Sequence, residues 1–322
     1  MVHPLLLSFL LLFALSSLSA QQKEDAGELD TVHERLSEWI YETSNRIDIF
    51  FSGNSEEVSI QKGTTLDTSF DLYTETYRSP LYRFNVSLRL HLPRTQKRLN
   101  LILEDFKNTS SVDLSRSAVP TDTIGNNDYL LGLQYRQQES KYTRIGYGGG
   151  IRFRSLTPDP FVSLYLSRSF YFATKWELLL RNKVRYFADY RLDNTAEVAL
   201  IKVLSENLRF SFRNLYRFLE HSDYRNETVN SLILEQFISA KKGVSYLLSA
   251  YSSGESGSVF KLGYYYGGIS FRHYYYRDWA YYQTDAGVIL RERNNFSPAA
   301  RLMFKIGFIF GRLDTTNRRF EP

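Results

Sequence analysis

Four histidines lie outside the first twenty residues, His33, His91, His221 and His273, and the chain has no cysteine. Any hydrolytic or metal chemistry has to begin from these. A serine nucleophile needs a histidine within hydrogen-bond reach and a third group to orient that base. His91 shares strand parity with Ser87 across Arg89, but no His-x-Ser-x-Gly run of the membrane-phospholipase kind is present. His221-Ser222-Asp223 supplies the residue types of a triad, yet three adjacent side chains cannot converge on one reacting atom, so the triplet reads as loop polarity. Asp189 and Asp193 are carboxylates without the paired partners that an aspartate and histidine protease would need. Gly148-Gly149-Gly150 falls inside an alternating segment instead of between a strand and a helix, which excludes a phosphate-binding loop. No metal-ligand spacing occurs, no cofactor is implied and no catalytic residue is assigned. A lipid hydrolase is the weakest of three functional readings.

The stronger chemical signal is charge repeated on one face of many short segments. Arg83, Arg89, Arg136, Arg144, Arg152, Arg154, Arg181, Lys183, Arg185, Arg209, Arg213, Arg217, Arg291, Arg301 and Lys305 share the polar parity of their segments. They outnumber the acids of that parity, Asp71, Glu75, Glu104, Glu177, Glu235 and Asp285. If this face lines a water-filled lumen, fixed positive charge favours small anions. The second reading uses the same residues differently: in a barrel of modest width, cations and carboxylates pair across the interior and leave a closed scaffold or interaction barrel.

The elements that would position these charges follow from periodicity. In Leu81–Leu92, Tyr82, Phe84, Val86, Leu88, Leu90 and Leu92 alternate with Arg83, Asn85, Ser87, Arg89 and His91; a period of two between oil-seeking and water-seeking residues is a strand at an oil–water boundary. Leu302, Phe304, Ile306, Phe308 and Phe310 alternate with Arg301, Lys305 and Gly307 in the same way. Strands are expected near 66–76, 81–92, 99–106, 128–138, 143–154, 160–170, 175–188, 192–203, 207–218, 228–239, 243–252, 258–272, 279–291 and 298–311, with blurred parity at 192–203, 228–239 and 258–272. The fold class is thus all-β, an antiparallel transmembrane β-barrel of about 14 strands, with 12 to 16 admissible. Connections after odd strands include the longest, 107–127 and 219–227, and those after even strands are mostly short, the asymmetry of a barrel with both ends on one side. Upstream, Leu29, Val32, Leu36, Ile40 and Ile47 recur at three- and four-residue steps, which predicts an amphipathic helix over about 31–46. That helix lies against the barrel end, plugs the lumen or meets a periplasmic partner.

Residues 1–20, MVHPLLLSFLLLFALSSLSA, have the apolar core and small-residue end of a cleavable signal peptide. The expected organisation is a signal peptide at 1–20, a periplasmic N-terminal segment at 21–65, a transmembrane barrel at 66–311 and a tail at 312–322. After the leader no apolar run approaches the roughly 20 residues of a membrane-spanning helix. Aromatic residues are 16% of the chain, an excess that interfacial girdles of a membrane barrel would absorb. The net charge of +5 is spread over many strands, which speaks against nucleic acid.

Several local features resemble a group of Gram-negative outer-membrane β-barrel proteins: Ile47-Asp48-Ile49-Phe50-Phe51 closing the N-terminal segment, the Leu92-Pro93 step, Tyr276-Arg277-Asp278-Trp279 in a late hairpin, and Phe308-Ile309-Phe310-Gly311 at the end of the last strand. The resemblance spans most of the mature chain as a pattern and implies a barrel and an outer-membrane address, with lipid and lipopolysaccharide as its surroundings, but no activity. Many such proteins end on an aromatic residue, whereas Arg312–Pro322 follow the last strand here. Together these readings lead to a porin-like pore for small polar, preferentially anionic solutes, with the closed scaffold as its rival.

Overall fold

A computed structural model describes residues 26–52, 64–76, 78–92, 99–105, 129–140, 142–154, 157–172, 174–189, 191–220, 225–255 and 259–311. Fourteen strands form one closed antiparallel barrel: β1 (Thr65–Glu75), β2 (Arg78–His91), β3 (Leu99–Asp105), β4 (Tyr129–Glu139), β5 (Thr143–Arg154), β6 (Thr157–Phe172), β7 (Trp176–Phe187), β8 (Arg191–Ser205), β9 (Leu208–Leu219), β10 (Arg225–Ser239), β11 (Lys242–Gly254), β12 (Lys261–Tyr276), β13 (Ala280–Arg291) and β14 (Pro298–Gly311). Each strand pairs with its neighbours in sequence, and β1 pairs with β14 to close the sheet, with Leu66 opposite Phe310 and Asp71 opposite Lys305. Closure gives every strand a partner on each side, although β2 and β3 pair only over Leu88–His91 and Asn100–Leu103.

Alternation decides which side chain faces where. On β14, Arg301, Met303, Lys305 and Ile309 are buried, and the intervening Leu302, Phe304, Ile306, Phe308 and Phe310 face outward. Phe70, Phe84, Leu133, Leu164, Phe212, Leu232, Leu248 and Ile269 stand exposed on the exterior of strands all round the barrel. An exterior with so many exposed apolar side chains is unfavourable in water and suited to lipid. Bulges sit toward strand ends, at Tyr73/Glu75, Arg136/Gln138, Val203/Ser205, Phe237/Ser239, Tyr251/Ser252 and His273/Tyr276, where an extra residue ends or re-aims pairing without breaking the wall.

The connections at the end opposite the chain termini span 76–77, 106–128, 155–156, 188–190, 220–224, 255–260 and 292–297. Only 106–128 is long, so the predicted long-versus-short asymmetry rests on that one segment, and the expected loop 219–227 contracts because β9 and β10 both extend into it. Residues 1–20, expected to be a signal peptide, the whole 107–127 segment, the 312–322 tail and His221-Ser222-Asp223 lie outside the described residues.

The N-terminal helix, α1, runs Ala26–Ser52, longer than the predicted 31–46. Ile47, Ile49, Phe50 and Phe51 extend it beyond that range, since Ile47 continues the stripe of Ile40 onto the barrel. α1 does not enter the lumen. Ile40 and Ile47 pack with Leu66, Leu88, Leu90, Leu92, Leu99, Leu101 and Phe310, which carry the outward parity of β1, β2, β3 and β14. Leu90 and Leu92 are therefore buried although they face out. His33 stacks on Trp279 and Phe310, with ring centroids 4.5 and 5.4 Å apart, and its Nε2 lies 3.0 Å from the Ile309 carbonyl. The Gly311 amide donates to Ser37 Oγ (3.1 Å), and Ser44 Oγ donates to the His91 carbonyl (2.8 Å). Asp30 pairs with Arg277, which the β12–β13 turn holds at φ 43°, a left-handed conformation that a non-glycine residue adopts only when its surroundings fix it. α1 thus lies across the outside of the barrel at its terminal end, from the β12–β13 turn over β14 and β1 to β2.

Candidate functional site

Among the described residues the sequence concentrates its chemistry on the lumen wall, which divides into three sectors. On β7, β8 and β9 arginine and carboxylate alternate across neighbouring strands. Asp193 of β8 receives Arg217 of β9 through two parallel bonds, Nε to Oδ1 and Nη2 to Oδ2, both 3.0 Å. Arg185 of β7 reaches the same carboxylate at 3.6 Å. Four residues along β8, Glu197 is held between Arg181 (3.3 Å) and Arg213 (3.7 Å). Each carboxylate is shared by two guanidiniums, so each triad keeps a net positive charge. Lys183, between Arg181 and Arg185 on the same face of β7, stands opposite Thr195 and Tyr165. Arg209 of β9 donates to Glu235 of β10 through Nε at 2.7 Å, and Arg152 lies 4.0 Å from Asp159 and over the Phe187 ring.

On β10 to β14 the inward face turns apolar and aromatic. Ile233, Leu247, Tyr251, Tyr264, Tyr266, Ile289 and Ala299 form one buried cluster. Tyr266 lies across Gly268 and Gly287, and Tyr281 across Gly307; a β-carbon at any of these glycines would collide with the ring. Guanidiniums cap the rings: Arg291 over Tyr264, Arg272 over Tyr281, and Arg301 over both Tyr73 and Tyr266. Arg291 also makes a bidentate pair with Glu75, at 2.8 and 3.0 Å.

The third sector joins β12 and β13 to the seam. Asp71 accepts from Ser69 (3.2 Å), Tyr73 (3.1 Å) and Asn85 (2.9 Å) and pairs with Lys305 at 3.5 Å. Gln283 donates to Asp285 (2.9 Å) and accepts from Arg272 (2.6 and 3.0 Å), and Ser270 donates to the same Asp285. Lys305 and Asp71 are almost fully buried, so this pair has little of the solvent screening that weakens exposed ones.

The predicted lining residues take these positions. Arg83 is buried opposite Asp71 in register, Arg136 stands opposite Gly146, and Arg89 and Arg144 are on the inward face near the terminal rim and exposed. Glu177 accepts from Ser169 Oγ at 2.7 Å. The side chains of Arg154 and Glu104 lie outside the described ones. His91 sits beside Asn100, its Nδ1 3.3 Å from Oδ1, at the barrel end under α1. Periodicity missed Asp67, Asp159, Asp193, Glu197 and Glu227 among inward acids, and Arg272 among inward bases. The excess of positive charge is correspondingly smaller than the sequence suggests, and it is concentrated on β7 to β9.

Comparison with protein-family models finds no match, and no curated protein matches the sequence. Among solved structures, the chain is similar to a loop-deletion mutant of OmpT, an outer membrane protein of Vibrio cholerae, at 8% identity over 77% of this chain and 98% of that one, with a TM-score of 0.47. It is also similar to the outer membrane channel DcaP of Acinetobacter baumannii (9% identity, 77% and 96% covered, TM-score 0.44) and to the KdgM porin (5% identity, 75% and 98% covered, TM-score 0.38).

Proposed function

We propose that the protein is a channel of the Gram-negative outer membrane through which small polar solutes diffuse, with anions preferred. One observation carries the anion preference: the two triads on β7 to β9, Arg185–Asp193–Arg217 and Arg181–Glu197–Arg213, hold four guanidiniums on two carboxylates. A carboxylate between two arginines fixes their geometry and leaves one positive charge over, so the wall presents oriented donors to a passing anion at little further ordering cost. The apolar exterior supports a bilayer as the surroundings. Recording reversal potentials across a bilayer holding the refolded protein, under a salt gradient, tests the reading. The expected sign is that of anion preference, reduced in the Arg181→Ser, Arg213→Ser double variant. Absence of conductance, or cation preference in the parent protein, would overturn it.

A further inference from the structure

α1 shows two stripes besides its polar side. His33, Ser37, Ile40 and Ser44 face the barrel, and Leu29, Val32, Leu36 and Trp39 form a neighbouring stripe at the same three- and four-residue spacing. That second stripe is exposed, at 51, 53, 37 and 59% respectively. Glu34, Glu38 and Glu42 are polar and exposed on the side away from the barrel, and Arg35 and Arg46, four residues before and seven after Trp39, are exposed along the border of the second stripe. The helix therefore has one apolar arc of which the barrel covers only part. We propose that α1 is an in-plane membrane helix whose uncovered stripe, Leu29 to Trp39, inserts into the phospholipid leaflet at the terminal rim of the barrel. This rests on the reading that the barrel spans a membrane.

Continuity of surface argues for lipid as the occupant. The side chains beneath α1, Leu66, Leu88, Leu90 and Phe310, belong to the same outward set that faces lipid elsewhere on the barrel, so α1 occupies a place that acyl chains would otherwise fill. A helix lying there has one flank toward the leaflet and the other toward water, and an apolar flank is favourable only toward the leaflet. The polar flank is not basic, since Glu34, Glu38 and Glu42 outnumber Arg35 and Arg46. Attraction to anionic headgroups is therefore not the driving force; burial of apolar surface, in register with the barrel exterior, is.

The absence of cysteine permits a direct test. The full chain carrying Trp39→Cys is nitroxide-labelled and refolded into phosphatidylcholine vesicles, and relaxation by apolar oxygen is compared with relaxation by a water-soluble nickel chelate. Glu42→Cys serves as the aqueous reference and Phe212→Cys, on the far exterior of the barrel, as the lipid reference. The expected result is a Trp39 label relaxed more by oxygen than by the chelate, at a depth shallower than Phe212, with Glu42 the reverse. A Trp39 label as accessible to the chelate as Glu42, with Phe212 still in lipid, would overturn the proposal and leave the barrel reading standing. A Trp39 label shielded from both agents would also overturn it, by showing a protein neighbour on the stripe. If the Phe212 label is itself aqueous, the membrane reading fails and the inference falls with it.

Discussion

The seam of β14, β1 and β2 and the wall of β7, β8 and β9 lie on opposite sides of the barrel and are built differently inside and out. On the far wall every neighbour is joined by a short connection, the exterior is bare, and the interior carries two arginines for each carboxylate. At the seam the first strand must find the last, across nearly the whole chain, so loop closure helps least and tertiary contacts must help most. There α1 covers the exterior, and the interior holds a buried pair of Lys305 and Asp71 that also receives Ser69, Tyr73 and Asn85, with Arg83 opposite Asp71 in register and Arg301 and the Glu75–Arg291 pair beside it. One side is organised for closure, the other for charge.

Lys305→Ala should sharpen that contrast with the largest effect. It leaves Asp71 buried with Ser69, Tyr73 and Asn85 as donors and Arg83 opposite in register, and loss of one partner of a buried pair costs about 3–5 kcal/mol, here nearer the lower end because those groups remain. Arg185→Ala on the far wall should cost roughly 1 kcal/mol, because Asp193 keeps its bidentate partner Arg217. Urea unfolding of the two refolded variants, followed side by side, measures the difference. Equal shifts would remove the distinction between a seam built on one pair and a wall built on shared ones.

Ile40→Ala tests whether α1 clamps the seam. Ile40 is fully buried against Leu90 and Leu92, and truncating such a side chain costs about 2–5 kcal/mol. The lower unfolding midpoint should be accompanied by easier protease cleavage within 26–52. An unchanged midpoint would mean that α1 rests on the barrel without holding it.

Glu197→Gln acts on the far wall through selectivity more than stability. Arg181 and Arg213 would then flank a neutral side chain, and the wall gains a net positive charge. Anion preference should rise by a measurable shift in reversal potential, with a stability loss of roughly 1–2 kcal/mol, because Arg181 is about a third exposed and solvent screens part of the pair. A shift toward cations would contradict the role given to the triads.

How far the sequence could be read differs between these two regions for a physical reason. β2 and β14 were legible because their outward residues are uniformly apolar and their inward ones polar, so period two announces both the strand and its register. β8 was not: its inward face carries Asp193 and Glu197 but also Ala199 and Ile201, and its outward face carries Asn194 and Lys202 beside Val198 and Leu200. With both faces mixed, parity loses its meaning, and the two acids that organise the triads could be assigned only once β7 and β9 fixed their register. β12 hid Arg272, Tyr264 and Tyr266 in the same way. The stripe of α1 was legible as amphipathic, but its destination was not, since Leu90 and Leu92 look the same in sequence whether lipid or a helix covers them.

The smallest effect is expected where α1 faces water. Arg46 and Glu42 form an i,i+4 pair at 3.7 Å with side chains 82 and 67% exposed. Exposed pairs of this kind contribute about 0.3–0.5 kcal/mol on a helix and are screened by salt. Arg46→Ala should therefore leave the unfolding midpoint within error and the permeation properties unchanged, in contrast to Ile40→Ala six residues upstream on the barrel-facing stripe. A large loss of stability on removing Arg46 would mean that the polar flank of α1 is covered, and that the helix holds the seam by more than its contact with Leu90 and Leu92.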